Sequence, residues 1–121
     1  MRAAFKGHRE AVLSLLEKGA DVNARTPSGE SALIWAADAG KAETVKELLD
    51  KGADVSARDG DGQTALFKAS AKGYPEIARA LLARGVDPAV QDSNGKTALD
   101  IAQDQHHGEV IQVLRGAAAV Q

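Results

Sequence analysis

His8, His106 and His107 are the only imidazoles in the sequence, and there is no cysteine. Imidazole titrates near neutral pH, so it is the first side chain to weigh for proton transfer or metal ligation. Adjacent histidines point different ways, and no third ligand is spaced to close a site around His106 and His107. The residues therefore give no metal centre. The lack of cysteine removes disulfides, thiolate zinc sites and thiol nucleophiles together, and it fits a reducing compartment. Asp59-Gly60-Asp61-Gly62 has the alternating acids that open a calcium loop. The twelfth position, which must carry a bidentate acid, is Ser70, so the string reads as a turn instead. No serine stands in a nucleophile elbow, and no glycine-rich loop presents a lysine to phosphates. Neither catalysis nor a cofactor is expected.

The bulk composition narrows the class further. Of 121 residues, 44% are apolar but only 3% aromatic, so the core must be assembled from Ala, Leu and Val at close spacing. Charged residues make up 26% with a net charge of −2, and the two signs are interspersed. Nucleic-acid binding of the sequence-independent kind needs a concentrated basic patch, so no nucleic-acid partner is expected. No apolar run approaches the roughly 20 residues that cross a bilayer, and residues 1–6 lack the apolar centre of a signal peptide. No membrane association is expected, and a cytoplasmic location is.

Those side chains have to be positioned by something, and the sequence shows what it is. Gly19-Ala20-Asp21-Val22 returns as Gly52-Ala53-Asp54-Val55, a shift of 33, and a third copy, Gly85-Val86-Asp87-Pro88, follows at the same interval. The shift maps Gly29 onto Gly62 and Gly95, and Ala32-Leu33 onto Ala65-Leu66 and Ala98-Leu99. Leu15, Leu48, Leu81 and Leu114 form one column; Ala3, Ala36, Ala69 and Ala102 form another. An internal repeat of this length signals a stacked architecture. In the third copy, Asp59-Gly60-Asp61-Gly62 makes the turn and Thr64 stands at a helix N-cap, its hydroxyl able to accept a backbone N–H. Residues 65–71 read as a first helix closed by Lys72-Gly73. Pro75 opens a second, on which Ile77, Ala78, Leu81 and Leu82 share a stripe with Arg79 outside, and Gly85 ends it. Helices of about two turns do not persist alone in water, so each unit must bury its faces against its neighbours.

The segments GESALIWAADAG and GQTALFKASAKG, then EAVLSLLEKGADVNA and ETVKELLDKGADVSA, closely resemble the ankyrin repeat family across essentially the whole chain. The resemblance implies an all-α solenoid of antiparallel helix pairs with β-turn fingers, about three and a half repeats long. They fall at residues 1–25 (truncated), 26–58, 59–91 and 92–121, the last a C-terminal cap. His8 fills a column where the family often has a histidine packed between repeats. His106 stands in a glycine column that can require positive φ, which histidine tolerates better than most residues. Two departures are visible. The usual proline after the threonine is Ala32, Ala65 and Ala98, and the usual histidine two positions on is Ile34, Phe67 and Asp100. Because that histidine commonly ties adjacent turns, weaker polar bonding between repeats is expected.

At the N-terminal end Met1 aligns with Ile34, so the first unit begins inside a repeat, and Leu13 and Phe5 fill columns that are mostly polar elsewhere. They either cover the end of the core or form a contact patch. At the other end, Arg115 replaces the second leucine of the pair and Glu109 and Gln112 face outward. Gly116 is expected to break the helix early, leaving 117–121 as a poorly ordered tail.

The function the resemblance implies is non-catalytic protein binding through the concave side, made of turn tips and first helices. Carried over column by column, that side comprises Arg25, Ser28, Glu30, Trp35 and Asp38 with the second unit. It continues with Arg58, Asp61, Gln63, Lys68 and Lys72 in the third, and Gln91, Asn94, Lys96, Asp104 and Gln105 in the fourth. Phe5 and Lys6 extend the strip. Trp35 shares its column with Lys68 and Ile101, which suggests an edge position and an aromatic anchor for a protein partner. The rival expectation is a structural fragment that forms a weak homo-oligomer through its N-terminal repeat.

Overall fold

The computed structural model describes residues 31–120, and the side chains of 31–117. The expectations for Phe5, Lys6, His8, Leu13, Arg25, Ser28 and Glu30 lie outside the described residues. Among the described residues six helices follow one another: α1 (Ala32–Asp38), α2 (Ala42–Asp50), α3 (Ala65–Lys72), α4 (Pro75–Ala83), α5 (Ala98–Asp104) and α6 (Gly108–Val120). Among the described residues there is no β-strand element.

Each first helix starts from a hydroxyl residue with extended backbone, as the repeat predicts. The Ser31 hydroxyl accepts the N–H of Ile34 at 3.2 Å. Thr97 and Asp100 form a reciprocal capping box. Thr64 holds the same place but makes no side-chain cap bond. There the first turn is tightened, and the N–H of Phe67 goes to the Thr64 carbonyl at 3.1 Å instead. Gly73 ends α3 with φ +78, and Pro75 occupies the first turn of α4, where its missing N–H costs nothing.

Packing runs within each pair and between equivalent helices of adjacent pairs: α1 on α3 on α5, and α2 on α4 on α6. This nearest-neighbour pattern defines a solenoid. Its core is laid down in columns. Ala36, Ala69 and Ala102 are fully buried and let the first helices approach closely; Leu48, Leu81 and Leu114 fill the space between the layers.

Two expectations are corrected. Trp35 is only 4% exposed and belongs to the core, not to an edge. The presence of Lys68 in its column was a poor guide, because a lysine can lay its stem along apolar surface and keep its ammonium on a polar group. Gly116 does not break the last helix, which runs on to Val120. A glycine inside a helix costs about 1 kcal/mol relative to alanine, and the three alanines that follow favour continuing. The polar bonds that do join the units come from residues outside the column of the missing histidines. Gln63 bonds Asp92, Ser93 bonds Asp61, His107 bonds Ala71 and Arg84 bonds Leu49.

Candidate functional site

The fingers between units are built on one aspartate each. Asp59 Oδ1 accepts the N–H groups of Asp61 (2.9 Å) and Gln63 (3.0 Å), while the Asp59 carbonyl accepts Gly62 N–H. Asp92 repeats the arrangement with Asn94 (2.8 Å) and Lys96 (3.0 Å), and its carbonyl accepts Gly95 N–H. Gly62 and Gly95 take φ +75 and +77, the left-handed region these turns require. Neither aspartate was among the predicted site residues. Their place one shift apart was visible in the sequence, but their role is to shape the fingers.

Adjacent fingers are then stitched together. The Ser93 N–H donates to the Asp61 carbonyl at 3.0 Å, and Gln63 Nε2 donates to Asp92 Oδ2 at 3.1 Å. Lys68 extends the network inward, its Nζ 2.9 Å from Asp59 Oδ2 and 3.1 Å from Gln63 Oε1. Burial would raise the Asp59 carboxyl, but the Lys68 ammonium and the N–H groups of Gln63 and Asp61 outweigh it and hold it below its ordinary value. The Gln63 amide, with the N–H groups of Lys96 and Asn94, holds Asp92 low as well. Both carboxylates are thus kept ionised as part of the scaffold.

The predicted strip divides into three classes on this scaffold. Arg58, Asp61, Lys72, Gln91, Asn94, Lys96, Asp104 and Gln105 are exposed. Asp38, Gln63 and Lys68 are half-buried, and Gln63 and Lys68 are committed to internal bonds. Trp35 is buried and presents no ring to a partner. Lys72 lies 3.8 Å from Asp38 across α3 and α1, and Lys96 pairs with Asp104. Exposed pairs of this kind are worth about 0–1 kcal/mol, so they can exchange for a partner's charges at little cost.

Two concavities among the described residues lie off this strip. One is a hollow at Gly73, His106, His107 and Glu109; the other is a groove between α4, its following loop and α6. In the first, His107 Nε2 sits 3.0 Å from the Ala71 carbonyl oxygen, which places the ring's proton on that nitrogen. Among the described residues no three His, Asp or Glu side chains are placed to hold a metal ion, and no helix is long and apolar enough to cross a membrane.

A family model described as ankyrin repeats (three copies) matches residues 1–92 and again residues 58–120. A comparison with curated proteins finds no match.

Proposed function

This chain belongs to the ankyrin repeat family, whose members are generally protein–protein interaction modules, and we propose that it binds a protein partner, without catalysis, through its finger tips and first helices. The observation that carries this reading is the stitching of adjacent fingers by the Ser93–Asp61 and Gln63–Asp92 bonds. A row of exposed polar side chains held in one register has less conformational freedom to lose on association, and preorganisation of that kind is a main determinant of affinity. Arg58, Asp61, Gln91 and Asn94 form the tips of the row, while Lys72, Lys96 and Asp104 form its floor. Trp35 enters as a core residue that supports α1. The mixed signs on the strip suit a partner surface with both charges, and they argue against a polyanion.

The test is capture from a lysate of the source organism on the immobilised chain, in three forms. The wild type and the second-helix variant Glu47→Lys should retain the same protein, and the strip variant Lys72→Glu/Lys96→Glu should lose it. Retention by the strip variant, or loss by Glu47→Lys, would assign binding to another face.

A further inference from the structure

The second-helix side of the solenoid contains a difference between two successive unit junctions that the strip does not involve. Where the third unit meets the second, Arg84 reaches back across the junction. Its Nη1 donates to the Leu49 carbonyl oxygen at 2.8 Å, and its Nη2 pairs with the Asp50 carboxylate. The Leu49 carbonyl already accepts the Gly52 N–H at 3.1 Å, so Arg84 takes its second lone pair. One shift of 33 along, the Leu82 carbonyl accepts the Gly85 N–H at 3.0 Å in the same way. The residue that should reach it is Ala117, and Gly116 and Ala83 are equally short. In place of an arginine the junction has an open groove of about 740 Å³, walled by Leu82, Val86 and Val113 and floored by Gly116 and Ala117.

We propose that this groove binds an arginine side chain carried by a partner polypeptide. The aliphatic stem would lie along Leu82 and Val113, both half-buried, and the guanidinium would donate to the Leu82 carbonyl as Arg84 donates to Leu49. The C-terminal end of α4 carries the partial negative charge of the helix dipole, which favours a cation there. Of the described charged residues lining the groove, Asp87 attracts a guanidinium and Arg79 repels it, and the Leu82 carbonyl adds to the attraction. At the preceding junction the planar fork of Arg84 engages a carbonyl and a carboxylate together, whereas an ammonium acts as a point charge. The site is independent of the finger-tip reading, since it shares no residue with it.

The test is a titration of the whole protein with acetyl-Leu-Arg-Leu-amide, followed by amide chemical shifts, with the citrulline peptide as the uncharged match. The arginine peptide should shift residues 82–88 and 113–117 with a saturable, millimolar-range profile, and the citrulline peptide should not. Ala117→Arg places at this junction the side chain that Arg84 supplies at the preceding one. It should weaken the peptide at least tenfold and raise the melting temperature, with the helical circular dichroism unchanged. Asp87→Asn, on an exposed loop, should weaken it several-fold without altering the fold. Equal shifts from both peptides, undiminished binding by Ala117→Arg, or groove shifts that follow protein concentration alone, as a second copy would cause, would each overturn the proposal.

Discussion

The imidazole of His107 lies across Gly73 so closely that a Cβ built on the glycine would stand 2.5 Å from His107 Nδ1. The preceding unit makes the same contact, with the Tyr74 ring 2.9 Å from a Cβ on Gly40. Each helix-joining glycine is therefore both a left-handed cap and the platform for the next unit's ring, a coupling of local backbone and inter-unit packing. Gly73→Ala should cost about 2–5 kcal/mol, from left-handed strain plus overpacking. Gly85 has φ +87 and nothing within 4 Å, so Gly85→Ala should cost only the strain, about 1–2 kcal/mol. Urea unfolding of the two variants checks the difference, and equal losses would show that the ring contact carries no weight. In the last unit the same column holds His106 at φ 60, and His106→Gly should gain up to about 1 kcal/mol.

Leu81 is fully buried between the layers, so Leu81→Ala should cost about 2–5 kcal/mol through lost transfer energy and the cavity left behind. Trp35→Ala should cost as much, about 3–5 kcal/mol, because the ring is core and not rim. Thermal melts of the pair decide it. A Trp35→Ala protein that melts like the wild type would restore the edge position that its column suggested.

Those two residues mark where the sequence was legible. The helices, the capping positions, Pro75, Gly85, the positive φ of His106 and the leucine column followed from spacing alone, since a repeat multiplies every local signal. Trp35 and Lys68 did not, because reading burial from residue type assumes that a charged column-mate means exposure. Lys68 breaks that assumption: it is half-buried and pairs with Asp59. The Gln63–Asp92 tie spans two units and depends on how the fingers stack, which no single repeat encodes. Gly116 weakens its helix without stopping it, and residue type alone does not separate those two outcomes. The exposed members of the strip came from the family resemblance, and their partner-binding role is a proposal.

Acid should loosen the fingers. Asp59 and Asp92 both titrate below their ordinary values in the folded state. Groups of this sign contribute stability that is fully present above the unfolded value, near 3.8, and is lost as pH falls through the lower folded values. The melting temperature should thus decline on acidification below about pH 4. Asp92→Asn should lower it at neutral pH and flatten the acid limb. An acid limb as steep in Asp92→Asn as in the wild type would remove Asp92 from the account.

The most direct test of the central claim, binding through a preorganised finger and first-helix strip, is association kinetics against the captured partner at two salt concentrations. Lys72→Glu/Lys96→Glu should reduce affinity at least tenfold, about 1.4 kcal/mol, mainly through a slower on-rate with altered salt dependence. Glu47→Lys, on the opposite surface, should leave both rates unchanged. Equal losses from the two surfaces, or a strip variant that binds like the wild type, would contradict the assignment of the face.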